Sequence, residues 1–165
     1  MINDENAVYF LMAAILLACL ALVYAFFLFQ NIKREKIHMR MLDKLSGFIH
    51  EGAMAFLGRE YRVIIIFVIV IAVLLASLGF IPALQNVDGV GMGAAFCFII
   101  GTLCSGVAGF CGMQAATKAN ARVSQAAHDK GMPKALRIAF SGGSVLGLCV
   151  VGFGLLGLTV LFLGF

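Results

Sequence analysis

The stretch Val63–Phe80, VIIIFVIVIAVLLASLGF, decides the fold class of this 165-residue chain. It lies within a segment that carries no charged side chain from Val63 to Val87. An α-helix rises about 1.5 Å per residue, so about 20 apolar residues cross the ~30 Å hydrocarbon core of a bilayer. The stretch therefore predicts a transmembrane helix.

Three further segments have the same character, and the whole pattern predicts transmembrane helices at about 7–30, 62–84, 89–117 and 138–165. Apolar residues make up 62% of the chain and charged residues 12%, whereas soluble domains carry about 25% charged residues. So few polar groups could not cover a water-exposed surface, which excludes an ordinary soluble enzyme. Because hydrophobicity is high, a disordered chain is excluded as well. We expect an all-α integral membrane protein with a single transmembrane region over residues 1–165.

The basic residues indicate how the spans are oriented. All twelve lie in or beside two connections, at about 31–61 and 118–137: Lys33, Arg34, Lys36, Arg40, Lys44, Arg59, Arg62, Lys118, Arg122, Lys130, Lys134 and Arg137. Short basic connections remain on the cytoplasmic side of a membrane, so we expect the N-terminus outside and both connections inside. Membrane orientation accounts for all of these charges, and no aromatic-basic groove accompanies them. We therefore expect no binding to nucleic acid.

The first basic connection has a helical pattern of its own. Its apolar residues recur at steps of three and four: Leu42, Leu45, Ile49, Ala53 and Phe56. Two structures fit this pattern. Either the second helix extends well into the cytoplasm, or a separate helix at the membrane surface precedes it.

Several glycines have spacings that suggest a role. The string Gly152-Phe-Gly154-Leu-Leu-Gly157 matches a dinucleotide-binding fingerprint, but that motif needs a preceding strand and a later acidic residue. A membrane span offers neither, so we favour packing. Small residues four apart allow two helices to approach closely in lipid. This spacing predicts helix contacts at a set of five positions: Gly101, Ser105, Gly109, Gly143 and Gly147.

Three cysteines line one stripe of the third span. Cys97, Cys104 and Cys111 are seven residues apart, about 10 Å along a helix, which is too far for a disulfide between them. No histidine lies in any span to complete a metal site with them. We therefore interpret these cysteines as small apolar packing residues.

Charged residues are absent from the interior of all four predicted spans. Ion pathways and proton relays use ionisable groups inside the membrane, so these helices could not form such a pathway unaided. The same absence excludes the proteolipid subunit of a rotary ATPase, which is also glycine-rich and needs a membrane carboxylate.

Three stretches resemble membrane-bound, ion-pumping inorganic pyrophosphatases. Glu51–Tyr61 (EGAMAFLGREY) is similar to the beginning of the second helix in that family. Gly112–Ala127 (GMQAATKANARVSQAA) resembles the end of its third helix, and Ser141–Gly157 (SGGSVLGLCVVGFGLLG) resembles its fourth. Their order and spacing agree with the family. One departure is Gly58, where the family usually has a basic residue.

The resemblance implies an N-terminal, outer-ring portion of a pump that couples pyrophosphate hydrolysis to H⁺ or Na⁺ translocation. Family members are bundles of sixteen helices, form homodimers and use Mg²⁺. The resemblance also implies a location in the cell's inner membrane or in the membrane of an acidic organelle. It transfers no catalytic, substrate-binding or metal-binding residue to this chain, because the family's sites lie on later helices, and we therefore expect the chain alone to be inactive. The alternative is a free-standing protein of four spans with a structural or partner-binding role.

Overall fold

The computed structural model describes residues 4–80 and 91–164, which form four long helices. They are α1 (Asp4–Arg34), α2 (Arg40–Leu78), α3 (Met92–Lys130) and α4 (Met132–Gly164). Each is long and apolar enough to cross a membrane, and the described ranges contain no β-strand. The predicted all-α membrane class with four spanning helices is therefore confirmed.

The helices are longer than the spans predicted within them. α2 and α3 each have 39 residues, or about 58 Å, so each is longer than a hydrocarbon core is thick. α2 is continuous from Arg40, so the second helix extends through the first basic connection and no separate surface helix precedes it. The membrane boundaries themselves stay predictions. The short connection predicted between the second and third spans, at about 85–88, lies outside the described residues.

α3 and α4 form an antiparallel hairpin with a turn of one residue, Gly131. Its φ angle of 80° falls in the left-handed region that favours glycine. The Gly131 carbonyl accepts a hydrogen bond from the Ala135 amide at 3.3 Å, which begins α4. Pro133 lies in the first helical turn, where its missing N–H leaves no helical hydrogen bond unmade. This turn fixes α3 and α4 side by side.

The helices pack in the order α2, α3, α4, α1. The most extensive contact joins α3 to α4, followed by α1 with α4 and α2 with α3, while α1 touches α3 over a small area. Among the described residues, α2 has no direct packing contact with α1 or α4. α3 is therefore the helix that joins α2 to the rest of the bundle.

Small side chains dominate the buried core. Ala18 and Ala25 of α1 are buried, and α4 contributes Ala135, Val145 and Cys149. α3 contributes the most alanines: Ala95, Ala108, Ala115, Ala119, Ala121 and Ala126. Small residues let helix backbones approach closely, which is how helices associate in lipid. Most large apolar side chains face outward instead, with Ile32 and Ile138 as buried exceptions, as expected for a surface in contact with a bilayer or further helices.

Candidate functional site

The polar contacts concentrate where the two basic connections meet. We call this cluster the polar junction, and it consists of Glu35, Arg122, Gln125, Asp129, Lys130 and Lys134. The residues come from the end of α1, the last turns of α3 and the first turn of α4. The turn at Gly131 places the last two of these segments together, so charges distant in sequence become neighbours.

Glu35 is the centre of the polar junction. Its carboxylate forms ion pairs with Lys134 at 2.5 Å and with Lys130 at 3.2 Å. Its backbone carbonyl accepts a hydrogen bond from Nε of Arg122 at 2.9 Å. The hydrogen bond from Lys134, opposed by partial burial and reinforced by Lys130, lowers the pKa of the Glu35 carboxyl from its ordinary value of 4.5. Glu35 thus ties the end of α1 to both sides of the α3–α4 turn.

Gln125 holds the beginning of α2. Its side-chain carbonyl accepts hydrogen bonds from the backbone amides of His38 and Met39, at 3.3 and 3.2 Å. Met39 is the N-cap of α2, and its own side chain forms no capping hydrogen bond. The Gln125 amide nitrogen donates to Asp129 at 2.6 Å, which fixes the orientation of the side chain. A buried residue of α3 therefore supplies the acceptor that the α2 N-terminus lacks.

Three further contacts set the antiparallel register of α2 against α3. His50 Nδ1 lies 3.2 Å from the Thr117 hydroxyl, and the Tyr61 hydroxyl donates to the Gly106 carbonyl. Between them, the Gln114 amide points to the sulfur of Met54 at 3.7 Å. α2 has no buried residue among those described, so polar contacts carry much of what attaches it.

An apolar groove opens between α1, α3 and α4, and basic residues lie at one end of it. It has a volume of about 450 Å³ and is lined by residues from Leu22 to Phe29 of α1, from Phe110 to Lys118 of α3, and from Val145 to Phe153 of α4. The ammonium groups of Lys33 and Lys118 lie 4.6 and 5.4 Å from the centre of the Phe29 ring. Partial burial, with repulsion from Lys33 and Arg122, lowers the pKa of Lys118. We call this cavity the α1/α3/α4 groove.

The five small residues predicted to mark helix contacts are not brought together within this chain. Gly109 lies near Tyr61, whose hydroxyl would be 3.6 Å from an added Cβ. Gly101, Gly143 and Gly147 would each place a Cβ in open space, and Ser105 is exposed on a groove between α2 and α3. The role of this set in helix packing stays a prediction.

Other glycines make the close contacts within the chain. A Cβ on Gly112 would collide with Cδ1 of Leu146, and one on Gly152 would lie 2.6 Å from Cγ of Leu22. A Cβ on Gly157 would lie 3.2 Å from the sulfur of Cys104, so the cysteine stripe of α3 faces α4. In the sequence, the signal for two of these contacts was the glycine string at 152–157. Gly152 and Gly157 are five residues apart, so they do not match the spacing of four that predicts helix contacts.

The described residues do not fit a Mg²⁺ site. No three His, Cys, Asp or Glu side chains lie together in the ranges 4–80 and 91–164. Glu35 is engaged by two lysines, and Asp129 by Gln125 and by His128 at 2.9 Å. The hydrogen bonds from His128 and Gln125 lower the pKa of Asp129. Glu35 and Asp129 are thus both engaged in structural contacts.

Comparison with known proteins gives a consistent result. A family model described as inorganic H⁺ pyrophosphatase matches residues 19–165. A K⁺-insensitive pyrophosphate-energized proton pump of Chloroflexus aurantiacus is 36% identical, over 99% of this chain and 23% of the relative. A K⁺-stimulated pyrophosphate-energized sodium pump of Thermotoga maritima is 38% identical, over 91% of this chain and 19% of the relative. The chain spans about a fifth of the length of the curated relatives it matches.

Proposed function

The chain belongs to the inorganic H⁺ pyrophosphatase family, and we propose that it forms the N-terminal scaffold of a pump that couples pyrophosphate hydrolysis to ion translocation. The observation that carries the proposal is the alignment of nearly the whole chain with only about a fifth of each pump. The uncharged spans support a scaffolding role, because they contain no group that could carry an ion.

The scaffold supports a larger bundle. By family resemblance, the complete pump has sixteen helices and forms a homodimer, with these four helices in the outer ring. Two observations support contacts with further helices. α2 has no buried residue among those described, and Gly101, Gly143 and Gly147 are open to a neighbour. In this proposal the predicted small-residue set contacts the remaining helices of the pump.

Substrate, metal and ion belong to the complete pump. Pyrophosphate and Mg²⁺ would be bound by segments outside this chain, because Glu35 and Asp129 are already paired and no three His, Cys, Asp or Glu side chains lie together in the described ranges. Both a proton pump and a sodium pump are among the relatives, at 36% and 38% identity, so similarity alone does not select the ion.

A segment exchange tests the proposal. This chain would replace the corresponding N-terminal segment of the Thermotoga maritima pump, and pyrophosphate-dependent Na⁺ uptake would be measured in inverted membrane vesicles. We expect uptake well above that of the same pump lacking the segment. As a matched control, the corresponding segment of the Chloroflexus aurantiacus pump would be exchanged in the same way. Activity with that control segment and none with this chain would contradict the proposal.

We also propose that the N-terminus lies outside and that the basic connections face the cytoplasm. The membrane would be the cell's inner membrane or that of an acidic organelle. In a background without the five native cysteines, a cysteine replacing Gln85 should react with an impermeant thiol reagent added to intact cells. A cysteine replacing the exposed Ser124 should not react. The reverse pattern would contradict the orientation.

A further inference from the structure

The α1/α3/α4 groove combines an apolar interior with a cationic end. Its floor is formed by Ala25, Val145 and Cys149, which are 2%, 3% and 5% exposed. On its rim, the rings of Phe26 and Phe110 are 59% and 43% exposed. The lined stretch of α1 from Leu22 to Phe29 rises about 10 Å, roughly a third of a hydrocarbon core. The groove is thus long enough to hold part of an acyl chain.

The cations at the end of the groove have no carboxylate partner among the described residues. Lys118 lines the groove, and Lys33 and Lys118 both contact the Phe29 ring. Arg122 donates a hydrogen bond to the Lys118 carbonyl at 2.6 Å. Among the described residues, none of these three forms a salt bridge, because the nearby Glu35 carboxylate is taken by Lys130 and Lys134. Three positive charges therefore converge where the uncharged segments of α1 and α3 end.

This combination selects one kind of occupant. An apolar groove inside the membrane accepts a hydrocarbon chain, and unpaired basic residues at the membrane surface attract a phosphate headgroup. A free anion would use the cations but leave the 450 Å³ of apolar volume unused. A further helix would have to bring an acidic residue to the same three cations. A lipid with a phosphate headgroup meets both requirements. Its acyl chain would fill the apolar interior, and its phosphate would lie at the basic residues.

We propose that the α1/α3/α4 groove binds an anionic phospholipid, with one acyl chain between Phe26 and Phe110 and the phosphate at Lys118, Lys33 and Arg122. Lys118 contacts the headgroup most directly, because it is the charged residue that lines the groove. The Phe29 ring holds both lysines by cation–π contacts and so positions them for the phosphate. The inference requires only that the chain spans a membrane, and it does not depend on the pump's activity.

Lipid retention tests this proposal in the purified 165-residue chain. The chain would be exchanged into mixed micelles with palmitoyl-oleoyl phosphatidylglycerol or phosphatidylcholine, and retained lipid would be measured by native mass spectrometry. A basic residue near an anionic lipid surface is worth ~1 kcal/mol, a factor of about five. We therefore expect phosphatidylglycerol to be retained at least fivefold better than phosphatidylcholine, and equal retention would overturn the proposal.

Matched variants locate the site. Lys118→Gln should reduce the preference for phosphatidylglycerol about fivefold, and Lys118→Arg should keep it. Lys44→Gln removes the same charge from an exposed position on α2 and should change nothing. An equal loss in Lys44→Gln would show general charge attraction and overturn the site. If Lys118→Gln does not fold, Lys33→Gln provides the same comparison.

Two further arms distinguish the lipid from other occupants. Inorganic phosphate at millimolar concentration should not displace phosphatidylglycerol, because it lacks the acyl chain. Full displacement would reassign the cations to a free anion. The wild-type chain would also be assayed within the exchanged Thermotoga maritima pump. Loss of the lipid preference there would show that another helix fills the groove, whereas retention would support the proposal.

Discussion

The contact of α4 with its neighbours and the contact of α2 with α3 are built in different ways. α4 packs against α1 and α3 partly through tight glycine contacts, and a Cβ at Gly152 or Gly112 would collide with a leucine. α2 buries no described residue and is attached through the Tyr61 hydroxyl, His50 and the acceptor on Gln125. In lipid, apolar burial gives little drive for association, so close packing and hydrogen bonds must supply it. The contacts of α4 depend more on close packing, and the contact of α2 with α3 depends more on hydrogen bonds.

The largest effect should come from filling the tight contact. In Gly152→Val the new side chain would meet Leu22 and the backbone carbonyl of Ala18, at 2.6 and 3.3 Å from Cβ. We expect a loss of about 1–3 kcal/mol, as in overpacked cores, measured by unfolding in mixed micelles. Gly154→Val is the matched control, because a Cβ there meets open space. An equal loss in both variants would break the distinction between the two contacts.

A substitution in the predicted small-residue set should have one effect in the isolated chain and another in the assembled pump. Ser105→Leu changes an exposed residue of α3, so in the isolated chain we expect stability to change by less than about 0.5 kcal/mol. Within the exchanged pump the same change should lower the yield of folded protein, because a bulky side chain would enter a helix contact. Leu161→Phe should have little effect in either. A pump indifferent to Ser105→Leu would remove Ser105 from the interface.

Removing a polar contact of α2 should cost less stability than filling the tight contact of α4. Gln125→Ala removes the acceptor for the amides of His38 and Met39, which we expect to cost about 1 kcal/mol. Amide hydrogen exchange at these two residues should become faster, while exchange in α4 stays unchanged. Ser124→Ala is the control, since its hydroxyl bonds only to Asn120 within the same helix. Unchanged exchange at His38 and Met39 would contradict the capping role of Gln125.

The smallest effect should be the pH dependence from Glu35. Its pKa is lower in the folded state than the ordinary 4.5, so its contribution to stability is present above pH 4.5 and is lost as pH falls through the folded value. Glu35→Gln should therefore be less stable than wild type at pH 7, and the difference should shrink as the pH falls below 4.5 and vanish below the folded-state pKa of Glu35. Glu51→Gln removes a carboxylate from an exposed position and is the control, so it should change stability by less than about 0.5 kcal/mol at pH 7.

The sequence predicted the helices well because charge and apolar length act locally. Within the described ranges, each uncharged segment lies largely in a helix, and the periodic residues from Leu42 to Phe56 belong to α2. The sequence did not identify Gly152 and Gly157, since they face different helices, α1 and α3, and spacing does not reveal which helix lies opposite. The role of Gln125 was equally hidden, because its partners are backbone amides 86 and 87 residues away.

Hydrolysis by the isolated chain is the most direct test of the scaffold proposal. Phosphoryl transfer needs metal ions held by carboxylates and basic groups around the phosphates, and no three His, Cys, Asp or Glu side chains lie together among the described residues. Purified chain, free of complete pump, would be incubated with Mg²⁺ and pyrophosphate. We expect phosphate release no faster than in buffer. Turnover that is lost in Asp129→Asn or Glu51→Gln would contradict the scaffold role and place a catalytic site on this chain.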